Sequence, residues 1–318
     1  MVNVYAMCGG LIDLDLSGFF CDVAPGSRAT VPVISFLISH PRGHVVVDTG
    51  VHRQAISDPK ARLGEARAAR FGMRSAPGDE VVSQLALFGL TPDDVRYVVN
   101  SHFHFDHCGG NEFFPRSTFL VQRPEMEAAR QVQAGTAMRY SPSPVDFDHP
   151  LDYQLLDGEH DVFGDGQVVL FPTYGHTPGH QSVRVRAGKG TDLVLTADAC
   201  YTRENMDRDV LPTVLWDPAE MSRSLGKLRE LRDRQGATVI YGHDLAQWRE
   251  TLGHRADVTI RVYDADNHLF FPGPGKSTPA DYSSPQHVDP AVVADVAQWL
   301  APRQGGFPLF KLFKRGKN

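Results

Sequence analysis

Four side chains that can bind metals lie within six consecutive positions, in the run His102-Phe103-His104-Phe105-Asp106-His107. Imidazole and carboxylate groups without a thiolate suit zinc, although iron, cobalt and manganese accept the same donors. The run follows the apolar, β-branched segment Val95–Val99. So many polar groups at the end of a buried strand would be costly without a cation. The run therefore predicts a metal site.

The direction of each side chain follows from the backbone. In an extended segment alternate side chains point the same way, so His102, His104 and Asp106 are predicted to project to one side. His107 then needs a turn, for which the pair Gly109-Gly110 supplies backbone freedom. We therefore predict that His102 and His104 serve one metal, and Asp106 and His107 a second.

Two ligands per metal are too few, because a catalytic zinc usually has three protein ligands plus water. Further candidates follow three apolar, strand-like segments, 168–171, 193–197 and 238–241: His176, Asp198 and His243. A carboxylate has two oxygens and can bridge two cations, which suits Asp198. From residue type alone, each of these three fits a ligand or an ordinary core or surface side chain about equally well.

Apolar segments and helical patterns interleave along the chain, which predicts layered α/β architecture with chemistry at the strand ends. The segment Pro59–Ser75 is rich in Ala and Arg and is predicted to form a flap over the site. The predicted strands are Val31–Ile38, His44–Val47, Val95–Val99, Thr118–Gln122, Val168–Phe171, Ser182–Val185, Leu193–Ala197 and Thr238–Tyr241, and the predicted helices are Asp79–Phe88, Pro124–Arg130 and Pro218–Gln235.

Composition limits the class of protein. The 318 residues carry a net charge of -6, and the basic residues are not concentrated in the body of the chain, which argues against a nucleic-acid surface. The four cysteines are scattered without a CxxC pair, which favours a reduced, cytoplasmic location. The N-terminal residues lack the pattern of a signal peptide, and we expect no membrane-spanning segment.

An ordered set of motifs resembles the metallo-β-lactamase superfamily over roughly residues 1–250. Each motif alone is weak, whereas the ordered set is specific. The resemblance implies a four-layered αββα sandwich with the site at one edge between two sheets. We assign residues 1–271 to this hydrolase domain and 272–318 to a C-terminal extension. The motifs are Asp48-Thr49-Gly50, His102-x-His104-x-Asp106-His107, Gly175-His176-Thr177-Pro178-Gly179-His180, Asp198 and Gly242-His243.

Within the superfamily, the segments 101–111, 175–182 and 196–205 most resemble the N-acyl-homoserine lactone lactonases. Tyr201, three residues after Asp198, is a feature of that family. Cys200 departs from the family pattern, which has a small residue there, and His180 belongs to the motif without being a ligand. The resemblance implies two divalent metal ions, with Zn²⁺ as the predicted metal: His102, His104 and His176 hold one, Asp106, His107 and His243 hold the other, and Asp198 bridges them.

The predicted reaction is the opening of the lactone ring by a hydroxide that bridges the two metals. Tyr201 is predicted to stabilise the oxyanion, and Asp106 to give a proton to the leaving alkoxide. Asp48 either accepts a hydrogen bond from a ligand histidine or simply forms a turn. Cys108 and Cys200 are predicted to be buried packing residues and not ligands.

Other functions stay open at this stage. The substrate could be another lactone or ester, of the pyridoxolactone, γ-lactone or thioester kind. A phosphodiesterase or nuclease would need a basic groove, and a non-catalytic binding protein would be expected to lack ligands, whereas all seven are present. The predicted partner is a small-molecule lactone, and a homodimer is compatible with the sequence. The basic, aromatic tail Phe307–Arg315 is more consistent with subunit packing or disorder than with membrane anchoring.

Overall fold

A computed structural model describes residues 2–187, 191–253, 288, 290 and 292–294. One compact unit spans residues 1–247. The predicted boundary between residues 271 and 272 and the tail 307–315 lie outside the described residues. The sequence also predicts a short helix at Pro290–Leu300, of which the described positions 290 and 292–294 are helical. In the part of the chain that is described, no helix is long and apolar enough to cross a membrane.

The fold contains both strands and helices, which are interleaved along the chain. The strands are β1 (Asn3–Asp15), β2 (Arg28–His40), β3 (Gly43–Val47), β4 (Gly72–Arg74), β5 (Val95–Val99), β6 (Thr118–Gln122), β7 (Asp152–Leu156), β8 (His160–Asp161), β9 (Val168–Pro172), β10 (Gln181–Ala187), β11 (Thr191–Leu195) and β12 (Thr238–Ile240). The α-helices are α1 (Arg53–Ser57), α2 (Pro59–Leu63), α3 (Glu65–Arg70), α4 (Val81–Gln84), α5 (Phe105–Cys108), α6 (Arg123–Gln133), α7 (Pro144–Phe147), α8 (Arg203–Arg208), α9 (Pro218–Asp233) and α10 (Leu245–Gly253).

The strands form two mixed sheets. The larger has the order β4-β1-β2-β3-β5-β6-β7, and the smaller has the order β12-β11-β10-β9-β8. In the larger sheet β3, β5, β6 and β7 run parallel. In the smaller sheet β11 and β12 are parallel, while β10 is antiparallel to both β9 and β11. The carboxyl ends of β9, β11 and β12 therefore lie at the same edge.

The sheets pack face to face, with helices on their outer faces. Alternation along β3 puts Val47 in the space between the sheets, where it faces Val183 of β10, and puts Val46 on the other face, against α4. Leu225 and Leu228 of α9 pack on the outer face of the smaller sheet. This arrangement confirms the predicted α/β sandwich.

Most predicted strands are confirmed, within a few residues of their bounds. The N-terminal strand β1, which pairs with β2 along much of its length, was not predicted. The predicted helix Asp79–Phe88 begins later, at Val81, and tightens into a 3₁₀ turn at Leu85–Phe88. The predicted flap consists of α2, α3 and the short strand β4, which pairs with β1.

Candidate metal centre

The run that contains His102 and His107 is not extended along its length. The backbone N–H groups of His107 and Cys108 donate to the carbonyl oxygen of His104 at 3.0 and 3.1 Å. These bonds close a helical turn, α5, so Asp106 projects from a helix and not from an alternating strand. The prediction based on alternation is therefore wrong for Asp106, because local hydrogen bonding replaces the extended backbone.

The role predicted for the glycine pair also needs correction. Gly109 has an ordinary helical φ of −59°. A Cβ there would lie 2.4 Å from the backbone nitrogen of His52, and a Cβ at Gly110 would lie 2.7 Å from the carbonyl oxygen of Thr49. The glycines therefore permit close approach of two backbone segments, and they are not needed for an unusual turn.

Three histidine nitrogens meet at one point from two separate loops. His102 Nε2 lies 3.0 Å from His104 Nδ1 and 3.2 Å from His176 Nε2, and the last two atoms are 3.0 Å apart. His102 and His104 follow β5 of the larger sheet, whereas His176 follows β9 of the smaller sheet. The loop before His176 depends on Gly175, which has a φ of +125° and whose Cβ would lie 2.1 Å from the backbone nitrogen of Met221.

A second group of potential ligands lies beside the first. Asp106 Oδ2 is 3.6 Å from His107 Nε2 and 3.9 Å from His243 Nε2. His243 follows β12, so this group also joins the two sheets. The atoms of each group lie within 4.8 Å of one another.

Asp198 lies between the two groups and directs one oxygen to each. Its Oδ2 is 3.2 Å from His176 Nε2 and 3.7 Å from His102 Nε2. Its Oδ1 is 3.1 Å from both His107 Nε2 and His243 Nε2. The seven predicted ligands are thus brought together, in the two groups that the resemblance implied.

These donors fit divalent cations. His107 Nε2 and Asp198 Oδ1 are buried and have no hydrogen-bond partner among the described residues, since the 3.1 Å between them lacks hydrogen-bond alignment. Buried polar atoms without partners are rare and expensive. A bound cation would satisfy these atoms, and the same would hold for the three imidazole nitrogens that face each other.

Three of the candidate ligand histidines also make a hydrogen bond through the ring nitrogen that faces away from the site. His107 Nδ1 lies 2.8 Å from Asp48 Oδ2, so Asp48 makes the predicted contact with a histidine of the candidate site. His243 Nδ1 lies 2.7 Å from the carbonyl oxygen of Pro32, and His176 Nδ1 lies 3.1 Å from that of Val214. Each ring can therefore donate from Nδ1, which leaves its Nε2 facing the site.

Charge is distributed unevenly between the two groups. Burial, together with the neighbouring histidines, holds the pKa of His102 and His104 well below its usual value. Burial also acts against protonation of His107 and His243. The carboxylates of Asp198 and Asp106, joined at His107 by that of Asp48, together outweigh burial and raise the pKa of both rings.

The sequence of this chain is similar to a known family and to known proteins. Residues 29–263 match the family model described as the metallo-beta-lactamase superfamily. The N-acyl homoserine lactonase AttM of Azorhizobium caulinodans is 36% identical over 253 residues, which cover 78% of this chain and 95% of that protein. The chain belongs to the metallo-β-lactamase superfamily, within the family of the N-acyl homoserine lactonases.

Other similar proteins and solved structures are also lactonases. The lactonase AiiA of Bacillus thuringiensis subsp. kurstaki is 31% identical, over 77% of this chain and 94% of that protein. A solved N-acyl homoserine lactone hydrolase, with the product N-hexanoyl-L-homoserine bound at its catalytic metal centre, is 31% identical with a TM-score of 0.70. The matched region covers 78% of this chain and 95% of the chain in that structure. The dizinc lactonase AidC, at 14% identity and a TM-score of 0.57, shares the fold.

A cavity of about 260 Å³ opens beside the site of this metallo-β-lactamase family member. Apolar side chains line much of it, and the flap contributes to its wall, which confirms that the segment 59–75 lies over the site. Asp106, Asp198 and His243 are among its lining residues. The apolar lining residues are Ile12, Leu14, Phe19, Val31, Phe71, Phe105, Tyr201 and Val214, and α3 adds Ala66, Arg67 and Arg70.

Tyr201 lies between the cavity and the first group of histidines. Its hydroxyl is 3.3 Å from His176 Nδ1 and 3.5 Å from the carbonyl oxygen of Val214. Its ring stacks on Phe19, with centroids 4.2 Å apart. Burial raises the pKa of Tyr201 well above its usual value, so the hydroxyl is a proton-bearing donor.

Several neighbours of the candidate ligands are buried, and for two of them, Cys108 and Cys200, the sequence predicted this packing role. Cys108 and Cys200 are buried among apolar side chains, and burial raises the pKa of both thiols. Phe103 is buried and stacks on Phe147. His180 is buried outside both ligand groups, with Nδ1 2.9 Å from Thr173 Oγ1.

One charged residue at the site was missed by sequence reasoning. Glu125 is fully buried in the first turn of α6 and accepts hydrogen bonds from both loops that carry the first histidine group. Acidic residues are common in first helical turns, where they interact with the helix dipole. Glu125 therefore gave no local signal that separates it from an ordinary surface glutamate.

Proposed function

We propose that this chain is a metal-dependent hydrolase that opens the lactone ring of N-acyl homoserine lactones. The observation that carries the proposal is the position of Asp198, whose two oxygens face two separate histidine groups and which lines an apolar cavity. The named lactonases of the family support the choice of substrate.

The proposed metal ligands form two sets joined by Asp198. His102, His104 and His176 hold one ion, and Asp106, His107 and His243 hold the other. Zn²⁺ is the proposed metal, because imidazole and carboxylate donors without sulfur suit it; iron, cobalt and manganese are the alternatives. When bound, the pair of cations lowers the pKa of water towards about 7 and polarises the ester carbonyl.

The chain's own side chains supply the remaining steps. Tyr201 donates its hydroxyl hydrogen to the carbonyl oxygen as negative charge develops there, which stabilises the transition state. Asp106 lines the cavity and accepts the proton of the attacking water. The bond between the carbonyl carbon and the ring oxygen then breaks, and Asp106 returns the proton to that oxygen. The product is an N-acyl homoserine with a free hydroxyl, and its new carboxylic acid releases the second proton of the water to solvent and becomes a carboxylate.

The apolar wall of the cavity is proposed to hold the acyl chain. Ile12, Leu14 and Val31 come from β1 and β2, and Phe71 and Phe105 come from the flap region and from α5. Removing an alkyl chain from water contributes about 0.8 kcal/mol per buried CH₂. The wall therefore favours substrates with an alkyl chain over a bare lactone.

We further propose a cytoplasmic location, because the four cysteines are free thiols. The acidic net charge of -6 supports the absence of a nucleic-acid partner. A homodimer stays a prediction, which light scattering of the purified protein would test.

The decisive experiment measures metal content and hydrolysis together, over a panel of substrates. The panel contains N-acyl homoserine lactones of several chain lengths, other γ-lactones, pyridoxolactone, thioesters and a phosphodiester. We expect two divalent ions per chain and the highest kcat/KM on the acylated lactones. Tyr201→Phe keeps the stacked ring and is expected to lower kcat by about a hundredfold without loss of metal. Faster turnover of the phosphodiester, or full activity of Tyr201→Phe, would contradict the proposal.

A further inference from the structure

The buried carboxylate of Glu125 is surrounded by four hydrogen-bond donors. Oε1 accepts from the backbone N–H of Phe103 at 2.9 Å and from the hydroxyl of Tyr140 at 2.5 Å. Oε2 accepts from the hydroxyl of Thr177 at 2.6 Å and from the backbone N–H of Gly179 at 2.9 Å. An ionised carboxylate has about four acceptor sites, so each is used.

Three of the four donors come from the two loops that carry the first histidine group, and the fourth, Tyr140, lies between α6 and α7. Phe103 lies between His102 and His104, and Thr177 directly follows His176. These loops belong to different sheets, and Glu125 ties one to the other. A Cβ at Gly179 would lie 2.1 Å from the backbone nitrogen of Glu125, so the second loop lies directly against the start of α6.

The second ligand group is held in another way. His107 is oriented by Asp48, and His243 by the carbonyl oxygen of Pro32. Neither contact involves Glu125. A change at Glu125 should therefore affect the two halves of the site unequally.

We propose that Glu125 is a positioning residue that sets the arrangement of His102, His104 and His176, and through it the affinity of that half of the site for its cation. The inference rests on the proposed metal ligands. Glutamine is nearly the same shape as glutamate, but its amide nitrogen cannot accept hydrogen bonds. In Glu125→Gln, two of the four donors therefore lose their acceptor, and the two loops are no longer tied together.

The test is a titration of zinc content against a competing chelator for the wild type, Glu125→Gln and Glu127→Gln. Glu127 lies on the same helix and is exposed, so it controls for the chemical change. We expect two zinc ions in the wild type and in Glu127→Gln. In Glu125→Gln we expect one ion to be held normally and the other to bind about 10- to 100-fold more weakly. Excess zinc should then restore much of its kcat.

Other outcomes separate a positioning role from a general structural one. If Glu125→Gln binds both ions like the wild type, the proposal is wrong. It is also wrong if both ions weaken equally and the melting temperature of the metal-free protein falls in parallel. Thr177→Val removes one donor and is the milder variant if Glu125→Gln fails to fold; it should weaken the same single ion by a smaller factor, and unchanged binding would overturn the proposal. A wild type without bound zinc would instead reject the proposed metal site itself.

Discussion

At the scale of single residues, Asp198 connects the two halves of the site. Its two oxygens approach different histidine pairs at 3.1 to 3.7 Å. Burial raises the pKa of this carboxyl group, but His107, His243 and His176 outweigh burial and hold it well below its usual value. Asp198 therefore stays ionised, which the proposed bridging role requires.

Replacing Asp198 by asparagine tests the bridge. The side chain keeps its size but loses its charge and one acceptor, so we expect loss of at least one metal ion and a fall in kcat/KM of more than about a hundredfold. Metal analysis and steady-state kinetics measure both. Asp192→Asn, on β11, serves as the control. A variant at Asp198 with two tightly held ions and full activity would refute the bridging role.

The raised pKa of His107 and His243 predicts how pH affects metal binding. In the metal-free protein these rings hold protons at higher pH than a free histidine does, and a cation must displace those protons. Affinity should therefore fall as pH is lowered. Calorimetry in buffers of different ionisation enthalpy should show proton release on binding.

Asp48 supplies the control for this pH effect, because its carboxylate helps to raise the pKa of His107. Asp48→Asn should release fewer protons at the same pH. Equal proton release by the variant and the wild type would argue against this origin of the pH dependence.

At the scale of elements, the flap decides the shape of the cavity. Phe71 follows α3, lines the cavity and lies against Phe105, with ring centroids 5.3 Å apart. Arg67 fixes α3 to the opposite side through the carbonyl oxygens of Ser141 and Pro142. The flap is therefore a packed part of the wall.

Phe71→Ala is expected to change substrate preference more than catalysis. Loss of the ring removes apolar contact from the acyl chain, so kcat/KM should fall about tenfold for long acyl chains and little for short ones. Kinetics over a series of chain lengths measure this. Phe88→Ala, in the cluster under α4, is a control at a distance from the cavity. A uniform loss across all chain lengths would show that Phe71 only supports the fold.

The elements also show where sequence patterns succeed. Val95–Val99 and Thr118–Gln122 were predicted with their observed bounds, because both are short segments rich in β-branched and aromatic residues, which favour strands. The prediction that the run after β5 is extended was wrong, since the run forms a helical turn that depends on hydrogen bonds to the carbonyl oxygen of His104. A helix of four residues is too short to be recognised from the spacing of its apolar residues.

At the scale of the whole molecule, the site joins two sheets. His102 and His104 come from the larger sheet, whereas His176, Asp198 and His243 come from the smaller one. Metal binding should therefore stabilise the sandwich as a whole, because the ions bind the folded arrangement and not the unfolded chain.

Removal of metal by a chelator is expected to lower the melting temperature by several degrees. Ligand at 100 to 1,000 times its Kd stabilises a folded protein by about 3–4 kcal/mol. Scanning calorimetry with and without chelator measures the shift, and added Zn²⁺ should reverse it. A melting temperature that does not respond to chelation would contradict a site that spans both sheets.

The sequence by itself determined the chemical character of the site. Histidines and aspartates that follow apolar strands form a local pattern, and the ordered motifs from Asp48 to His243 identified the family. Only the tertiary structure decided which ring nitrogen faces the site and how Asp198 divides its oxygens. It also showed that Glu125 holds two loops together. These properties depend on distances between residues far apart in the chain, which are set by sheet order and packing and not by any local pattern.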